Sequence, residues 1–396
     1  MTHPTHNGRN GNGNRNGNGA TRYEARDPDA RFSHDGPLRI AQVAPLYESV
    51  PPTHYGGTER IVSYLTEELV DLGHEVTLFA SGDSVTSARL VPIGTRALRH
   101  SESCHDPLAA HLLLLERVLQ EADRFDLIHF HCDYLHFPLS RRLDVPSLTT
   151  LHGRLDLPDL VPVYREFSEI PLVSISDAQR APLPWANWQG TVPHGLPVDF
   201  GKLSKGRGGY LAFLGRVSPE KGLDRAIEIA AKAGIPLKIA AKIDRNDRNY
   251  YATVIRPMLR RKGVEFLGEI GEADKPKFLG DAFALLFPID WPEPFGLVMI
   301  EALACGTPVI AFPRGSVPEI IEHGVTGYIV DTAEQAVRAV GRVSHLSRTV
   351  CRATFEARFG VPRMASDYVA IYRDRIRSPR AVMPRALAPS YQTAAE

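Results

Sequence analysis

The chain lacks most of the features that mark extracellular or membrane-spanning proteins. Its 396 residues contain only four cysteines, Cys104, Cys132, Cys305 and Cys351, and no two of them form a C-x-x-C pair. Isolated cysteines are typical of reduced thiols, so we predict a cytoplasmic protein rather than a disulfide-built one. The polar N-terminus does not resemble a signal peptide. No apolar run approaches the roughly 20 residues of a transmembrane helix, and the four leucines at 112–115 fit one helix face.

The chain also lacks an excess of either charge. Lys+Arg and Asp+Glu each total 46, which gives a formal net charge of +0. A broad basic surface for nucleic acid is therefore disfavoured, and we predict no nucleic-acid partner. One basic cluster stands out, at Arg256, Arg260, Arg261 and Lys262. A solvated helix face is the favoured interpretation, and peripheral contact with anionic lipid at an inner membrane face stays open.

Several cofactor motifs are absent as well. No G-x-G-x-x-G follows the first predicted strand, which disfavours a dinucleotide oxidoreductase. The glycine-rich segment 201–206 lacks the Lys-Ser/Thr ending of a phosphate loop. The D-x-D at 27–29 lies in or beside a low-complexity tail, and the histidines of the HFHC segment at 129–132 are read as structural rather than metal-binding. We therefore predict neither a metal nor another cofactor.

Regular alternation of strands and helices is what the chain does contain. The first 36 residues are rich in Asn and Gly and are predicted to be disordered. From Leu38 onward, apolar strand-like runs alternate with helical patterns, which favours parallel sheets covered on both faces. The pattern pauses at the linker-like segment 201–209 and then restarts. We predict an α/β fold of two Rossmann-like halves, 37–203 and 204–360, with a ligand cleft between them.

Two cations follow the first strand of the second half. In LGRVSPEKGLDRA, Arg216 ends a predicted strand and Lys221 precedes a helix. Cations at a strand-to-helix turn, together with the positive end of a helix, suit a bound diphosphate. A surface turn with scattered charge is the alternative. In the first half, Gly56 and Gly57 would let backbone approach an anion at a helix start, or would simply form a flexible helix entry.

Two carboxylates lie in a segment that otherwise resembles buried core. Glu301 has apolar neighbours on every side of its predicted helix, and an unpaired buried carboxylate is costly. A vicinal diol such as a ribose would satisfy it, and bonds from neighbouring backbone N–H groups are the alternative. Glu293 is expected in the preceding loop, facing the cleft. The N–H groups of 296–298 are unpaired at the helix start.

These segments resemble glycosyltransferase family 4. EPFGLVMIE is similar to the family's E-x7-E motif, GRVSPEKG to its phosphate-binding turn, and GGTERIVSYLTEELVDLGHEVTLFA to its opening strand, helix and strand. The resemblance covers essentially everything from Leu38 to the last helices. It implies a GT-B architecture in which a C-terminal helix, within 361–396, returns to the first domain. It also implies retaining, metal-independent transfer of a hexose from a nucleoside-diphosphate sugar, with UDP-glucose favoured over GDP-mannose by family frequency.

The resemblance assigns roles to matching residues. Arg216 and Lys221 would hold the diphosphate, Glu301 the ribose hydroxyls, and Glu293 the hydroxyls of the donor sugar. The remaining predicted site residues are His152, beside the transferred sugar, Gly57, near the diphosphate, and the helix start Phe295, Gly296, Leu297 and Val298. In this interpretation His152 and Glu293 are catalytic and the other residues bind the donor.

Some features depart from the family or leave the function open. His194 stands where the family more often has Asn, and no role is assigned to it; Glu319 is read as a structural residue at a helix start. The acceptor is predicted to be a small molecule, a saccharide or a lipid-linked group, facing the loops that contain Tyr47, Glu48, Tyr55, Arg154, Asp156 and Tyr164. The open alternatives are a nucleotide-sugar epimerase or hydrolase, a non-catalytic nucleotide-sugar-binding protein, and a glycosidase that uses Glu293 and Glu301.

Overall fold

Two parallel sheets form the frame of the protein. A computed structural model describes residues 36–101 and 104–378, and in this part of the chain the sheets have seven and six strands. The first sheet has the order β3-β2-β1-β4-β5-β6-β7. Its strands are β1 (Arg39–Val43), β2 (Glu75–Ser81), β3 (Arg89–Ile93), β4 (Leu127–Phe130), β5 (Ser147–Thr150), β6 (Leu172–Ser174) and β7 (Trp188–Thr191).

The second sheet repeats the design after the predicted linker. Its order is β10-β9-β8-β11-β12-β13, so the chain again starts in the middle and reverses direction. Such reversals create a crevice beyond the carboxyl ends of the strands. The strands are β8 (Leu211–Arg216), β9 (Leu237–Lys242), β10 (Val264–Gly268), β11 (Ala284–Phe287), β12 (Val309–Ala311) and β13 (Gly327–Ile329).

Helices connect the strands and cover both sheets. In the first half they are α1 (Gly57–Asp71), α2 (Pro107–Gln120), α3 (Phe137–Ser140), α4 (Leu160–Glu166) and α5 (Asp177–Arg180). In the second half they are α6 (Leu223–Ala233), α7 (Arg248–Tyr250), α8 (Arg256–Met258), α9 (Lys275–Asp281), α10 (Leu297–Ala304), α11 (Val317–Ile320), α12 (Ala333–Val340), α13 (Arg348–Arg358) and α14 (Val361–Arg377). A π-helical turn, Tyr251–Ile255, joins α7 to α8.

Helix α1 shows how the sequence pattern becomes packing. Its apolar residues Ile61, Leu65 and Leu69 recur at helical spacing and are at most 1% exposed. Leu72, which follows the same spacing, lies just past the helix and is 51% exposed. Gly73 then takes a left-handed φ of 85°, which ends the helix without the steric cost that a side chain would bring.

Helix α14 returns to the first sheet, as the resemblance implied. The Tyr372 hydroxyl accepts a hydrogen bond from Gln42 of β1 at 3.1 Å, and the Tyr368 hydroxyl lies 2.9 Å from the Thr150 hydroxyl of β5. Leu196 pairs with Gly360 in a short parallel bridge, so the chain passes twice between the two sheets at this point. The α/β class and the GT-B architecture are therefore confirmed.

Local expectations had mixed outcomes. Strand β3 went unpredicted, and β7 forms at 188–191, a few residues before the predicted TVPHG strand. The predicted helices after Ala333 are present. All described elements belong to one compact unit that starts at Pro37, and the domain boundaries at 203 and 360 stay predictions. The predicted disordered tail lies outside the described residues, apart from Gly36. No helix within 36–101 or 104–378 is long and apolar enough to cross a bilayer.

Candidate active site

A cavity of about 530 Å³ lies between the carboxyl ends of the two sheets. Its walls combine residues of α1 and of the first-sheet loops with residues of β8, β9 and the loops beside α10. All ten site residues predicted from the sequence line it: Gly57, His152, Arg216, Lys221, Glu293, Phe295, Gly296, Leu297, Val298 and Glu301. Residues far apart in the chain are thus brought to one place, although the role of each stays a prediction.

Arg216 ends β8 at the edge of the cavity, as its strand-end position predicts. Its Nη2 donates to Glu220 at 2.6 Å, its Nε lies 3.4 Å from Asp247, and its Nη1 lies 3.8 Å from Asp244. Three carboxylates therefore hold one guanidinium in position. An arginine held by several partners points its remaining N–H groups in a fixed direction, which suits recognition of an oxyanion.

Lys221 lies deeper, in the turn before α6. Its ammonium forms an ion pair with Glu293, and it also lies 4.6 Å from the ring centroid of Trp291. The Trp291 indole N–H donates to the same carboxylate of Glu293 at 3.0 Å. Because the Glu293 side chain is only 9% exposed and that of Lys221 17%, little water screens the pair. The two residues thus form one preassembled unit.

Glu301 has a protein partner that the sequence did not reveal. The residue is 3% exposed, and its carboxylate accepts a hydrogen bond at 2.8 Å from Lys275 at the start of α9. Burial lowers the pKa of Lys275, but Glu301 and Glu272 outweigh it and raise that pKa, so the lysine stays charged. Neither a ligand nor neighbouring backbone N–H groups is needed to explain the burial of Glu301. Its position in the cavity wall still leaves it available to a diol.

The same lysine links the two sheets. Lys275 lies 2.8 Å from Glu272, which accepts a hydrogen bond from the Tyr64 hydroxyl at 3.1 Å and lies 3.2 Å from Arg60. Tyr64 and Arg60 belong to α1. A continuous chain of charged groups therefore runs from Glu301 to the first-sheet side of the cavity.

The helix start next to Glu293 depends on one glycine. Gly296 has φ 80°, a left-handed conformation, and a Cβ there would lie 2.8 Å from the Met299 side chain. This conformation turns the chain into α10, whose first N–H groups lack intrahelical partners. On the opposite wall, a Cβ on Gly57 would meet Leu297 at an ordinary 3.6 Å, whereas one on Gly56 would clash with Pro52 at 2.8 Å. Of these two glycines, Gly56 is therefore the one that leaves no room for a side chain.

Histidines form the first-sheet wall. His152 Nε2 lies 2.9 Å from Nδ1 of His131, and the His152 ring stacks on His194 with centroids 5.2 Å apart. Burial lowers the pKa of His152 to about 3. Burial, helped by the neighbouring histidines, also lowers the pKa values of His131 and His194 well below the usual range. These rings are therefore neutral at physiological pH.

Sequence reasoning missed several wall residues. His194, to which no role was assigned, lines the cavity, is 4% exposed and packs against Phe295. One signal for His194 was present in the sequence, namely that it stands where the family more often has Asn. Lys275 gave no such signal, because only folding brings α9 beside α10. Asp133, with φ 48° directly after the HFHC segment, also lines the cavity.

The predicted acceptor loops are only partly in place. Tyr47, Glu48 and Tyr55 line the cavity, together with Arg99, which pairs with Glu48 at 2.5 Å. Tyr164, in contrast, is 2% exposed and packs in a core cluster behind the sheet. Arg154 and Asp156 pair with each other at 2.7 Å and are not among the residues that line the cavity. These three residues are corrections to the predicted acceptor pocket. Tyr164 lies one turn after Leu160 on the buried face of helix α4, and Arg154 and Asp156 satisfy each other outside the cavity lining.

Glu319 lies in the first turn of α11 and has a structural role, but the helix start that it satisfies is that of α5. Its carboxylate accepts hydrogen bonds from the backbone N–H groups of Asp177 and Ala178, at 2.8 and 2.7 Å. It therefore joins α11 to α5 across the two sheets. Within the described parts of the chain, no group of three or more His, Cys, Asp or Glu residues could hold a metal ion.

Two facing Rossmann-like sheets, a returning C-terminal helix and a charged cavity between them define the GT-B class of glycosyltransferases. Residues 199–353 match the family described as glycosyl transferases group 1, and residues 55–187 match glycosyltransferase family 4. The chain belongs to these glycosyltransferases and is a hexosyltransferase of GT-B type.

Known relatives and structures agree with this assignment. A phosphatidyl-myo-inositol mannosyltransferase of Mycobacterium leprae is 25% identical over 361 residues, covering 81% of this chain and 90% of the relative. A D-inositol 3-phosphate glycosyltransferase of Mycolicibacterium smegmatis is 27% identical, covering 62% and 50%. The fold is similar to that of a sucrose-phosphate synthase from Thermosynechococcus elongatus, with TM-score 0.71, 19% identity and coverage of 85% and 98%. It is also similar to AviGT4, a glycosyltransferase involved in avilamycin A biosynthesis, with TM-score 0.68, 24% identity and coverage of 86% and 98%.

Proposed function

We propose that the protein transfers a hexose, with retention of configuration and without a metal ion, from a nucleoside-diphosphate sugar to an acceptor hydroxyl. The observation that carries the proposal is the convergence of Arg216 and Lys221 with two buried carboxylates, Glu293 and Glu301, in one cavity. Cations suit the departing diphosphate, and carboxylates suit the hydroxyls of ribose and sugar. A single donor molecule uses both kinds of group.

Protein groups would neutralise the leaving group. As the bond from the sugar C1 to the phosphate oxygen breaks, negative charge grows on the diphosphate. This negative charge would be stabilised by Arg216, Lys221 and the N–H groups at the start of α10. Because Lys221 already pairs with Glu293, donor binding would reorganise a formed ion pair rather than order a free side chain, which keeps the entropy cost low.

The sugar would occupy the space between Glu293 and His152. The carboxylate can accept hydrogen bonds from two sugar hydroxyls, and the neutral histidine adds no positive charge beside an oxocarbenium-like centre. The acceptor oxygen then forms its bond to C1 on the face that the phosphate has left. Its proton passes to a phosphate oxygen, which balances the reaction and requires no separate protein base.

The acceptor would approach from the first-sheet wall. Tyr47, Glu48 and Asp133 line this side of the cavity, and Arg99 and His100 hold the Glu48 carboxylate, the latter at 2.9 Å. Oriented carboxylates and phenols suit a hydroxylated acceptor such as a saccharide or a polyol. A lipid-linked acceptor fits the same chemistry, since its headgroup presents the same hydroxyls, and the name of the Mycobacterium leprae relative includes phosphatidyl-myo-inositol.

The donor can be identified directly. UDP-glucose is the donor we propose first and GDP-mannose the second. A structural neighbour was solved with UDP-glucose, while the Mycobacterium leprae relative is named a mannosyltransferase. A thermal-shift series with UDP, GDP, UDP-glucose and GDP-mannose is expected to show a rise in Tm with one nucleotide family. Mass spectrometry against saccharide and inositol acceptors then gives the product. Stabilisation by none of the four ligands would contradict the proposed donors.

The metal and the stereochemistry need separate tests. Transfer is expected to persist after treatment with EDTA, and NMR of the first-formed product is expected to show the anomeric configuration of the donor sugar. Loss of activity in EDTA with recovery on addition of Mn²⁺ would overturn the metal-independent mechanism. An inverted product would overturn the same-face attack while leaving the donor assignment intact. Release of a free sugar epimer from the donor alone would instead favour an epimerase.

A further inference from the structure

A buried hydrogen-bond network lies behind His152, on the face of the first sheet that α14 covers. The His131 Nε2 lies 2.8 Å from Oε1 of Gln42, and the Gln42 Nε2 donates to the Tyr372 hydroxyl at 3.1 Å. Tyr372 in turn lies 2.7 Å from Nδ1 of His129. Gln42 and His129 are fully buried and His131 is 2% exposed. A polar side chain on the central strand of a buried sheet needs a reason, because apolar residues occupy most such positions.

With the Gln42 Nε2 directed at Tyr372 and its Oε1 at His131, as in the structure, the positions of the protons along the network follow. Its Nε2 is used as a donor to Tyr372, so its Oε1 faces His131 and can only accept. His131 must then carry its proton on Nε2, which leaves the His131 Nδ1 as an acceptor, since a neutral imidazole has one donor and one acceptor. The neighbouring His152 Nε2 must therefore donate to it. His152 is neutral as well, so its own Nδ1 is an unprotonated acceptor.

That acceptor has no partner within the described protein. The His152 Nδ1 is buried without a hydrogen bond among the described residues, although the residue lines the cavity. A buried polar atom without a partner costs free energy, and a ligand hydroxyl that reaches it would remove that cost. The opposite tautomer would place a proton there and would repel the hydrogen of a hydroxyl donor.

We propose that Gln42 and His131 are positioning residues, which hold His152 in the Nε2-protonated tautomer so that its Nδ1 accepts a hydrogen bond from the sugar bound in the cavity. This inference rests on the proposed function, which brings the transferred sugar next to His152. His131 contacts His152 directly, and Gln42 contacts His131. Both residues therefore act on the sugar only through His152. Tyr372 extends the network, so the returning helix α14 also contributes to the order of the sugar site.

The tautomer can be measured without any substitution. In protein labelled with ¹⁵N-histidine, the shifts of the two ring nitrogens distinguish a protonated from an unprotonated atom, and the His152 signal is assigned as the one lost in His152→Asn. The wild-type protein is expected to show a protonated Nε2 and an unprotonated Nδ1 at neutral pH. A protonated Nδ1 would overturn the inference even if every variant failed to fold.

Activity variants separate positioning from packing. The readout is nucleoside-diphosphate release from whichever of UDP-glucose and GDP-mannose stabilises the protein, with Kd for the free nucleotide measured alongside. His131→Phe and Gln42→Met keep the volume of the core and remove the polar atoms. We expect kcat to fall about 10- to 100-fold, by comparison with the loss of the hydrogen-bond partner that orients a metal-binding histidine. The Kd for UDP or GDP is expected to stay unchanged, because the nucleotide binds the other wall.

Tyr368→Phe is the matched control. Tyr368 is equally buried on the same helix, one turn from Tyr372, and its hydroxyl contacts Thr150. Thr150 lies 2.7 Å from His129, so Tyr368 joins the network only at its far end, several hydrogen bonds from His152. We expect kcat within about twofold of wild type and an unchanged His152 tautomer. An equal loss of kcat in Tyr368→Phe with an unchanged His152 tautomer would show that the network serves only packing, and would overturn the inference.

His152→Ala distinguishes failure of this inference from failure of the proposed function. If His152→Ala retains full turnover, His152 does not serve the sugar and that part of the proposed function fails. If His152→Ala loses turnover while His131→Phe and Gln42→Met keep it, with the wild-type tautomer unchanged, the positioning inference fails and the proposed function stands. Loss in all three variants, with a normal Tyr368→Phe, supports both.

Discussion

The two walls of the cavity are built on opposite electrostatic principles. The second-sheet wall holds charged residues in ion pairs, among them Lys221 with Glu293 and Lys275 with Glu301. The first-sheet wall beside the sugar position holds the neutral histidines 131, 152 and 194, whose pKa values burial depresses. The same degree of burial thus gives charged residues around α10 and neutral rings in the histidine cluster, because the former have partners of opposite sign in contact and the latter contact one another.

This contrast matches the proposed chemistry. A leaving diphosphate needs fixed positive charge, whereas a developing oxocarbenium-like sugar is better served by neutral acceptors and a carboxylate. The two walls also differ in what destabilises them. On the charged wall, removing one member of an ion pair leaves the other charge buried without a partner. On the histidine wall, adding a proton to a buried ring creates a charge that has no partner.

The largest effect is expected on the charged wall. Lys221→Ala removes the cation next to Glu293 and leaves that carboxylate without its ammonium. Turnover is expected to fall about 10²- to 10³-fold, the range for loss of one preorganised electrostatic group. The Tm is expected to fall as well, because a buried carboxylate loses its partner, while the fold stays intact. Steady-state kinetics with the identified donor check this. Lys277→Ala is the control, because the Lys277 side chain is 84% exposed and pairs with Asp281. Near-normal turnover without Lys221 would contradict the diphosphate role.

The second-largest effect is expected from substitution of Glu301, which we propose to bind the ribose hydroxyls. Glu301→Gln keeps the side-chain shape and a hydrogen-bond acceptor for Lys275 but removes the charge. We expect the Kd for UDP or GDP to rise about 10-fold, consistent with loss of a charge-assisted hydrogen bond. Calorimetric titration with the nucleotide and with its 2′,3′-dideoxy analogue provides a double comparison. Wild type should lose affinity for the analogue and the variant should not; equal losses in both proteins would separate Glu301 from the ribose.

The buried histidines of the first half, three of which belong to the cavity wall, predict a specific dependence of stability on pH. His136 is fully buried and burial lowers its pKa to about 3, while burial also depresses those of His129, His131, His152 and His194. Unfolded histidine titrates near pH 6.5. The neutral folded forms are therefore fully stabilising above pH 6.5, and that stability is lost as pH falls from 6.5 toward 3, by about 1.4 kcal/mol per pH unit for each fully buried ring.

Urea unfolding between pH 7.5 and 4.5 measures that slope. His131→Phe removes one titrating ring and is expected to give a shallower decline below pH 6.5, whatever its stability at neutral pH. Wild type that stays equally stable down to pH 4.5 would mean that these histidines bind protons as readily folded as unfolded, and the neutral wall would be wrong.

The smallest effect is expected from substitution of Glu319, which joins the two halves of the protein. Glu319→Gln weakens the bonds from the Asp177 and Ala178 N–H groups, which connect α11 to α5. We expect a loss of about 1 kcal/mol in the free energy of unfolding and unchanged turnover. Denaturant unfolding and kinetics check both. A large fall in turnover would show that this contact belongs to the chemistry rather than to the frame.

Local sequence patterns were enough to predict much of this protein. Helical spacing of Ile61, Leu65 and Leu69 predicted α1, alternation of strands and helices predicted two parallel sheets, and strand-end positions predicted that Arg216 and Glu293 face one cleft. These features depend on a few neighbouring residues, since the carboxyl ends of parallel strands meet at one edge whatever the loops do. Polar residues in such positions are thus readable before the fold is known.

Other features depended on which distant segments meet. No local pattern places Lys275 of α9 against Glu301 of α10, turns Tyr164 into the core, or sets Gln42 of β1 behind His131 and under Tyr372. The sequence by itself determined the two sheets and the set of residues at their carboxyl ends, because those follow from periodicity. Only the tertiary structure decided which buried groups stay charged and which stay neutral, because that depends on the partners that folding brings within a few ångströms.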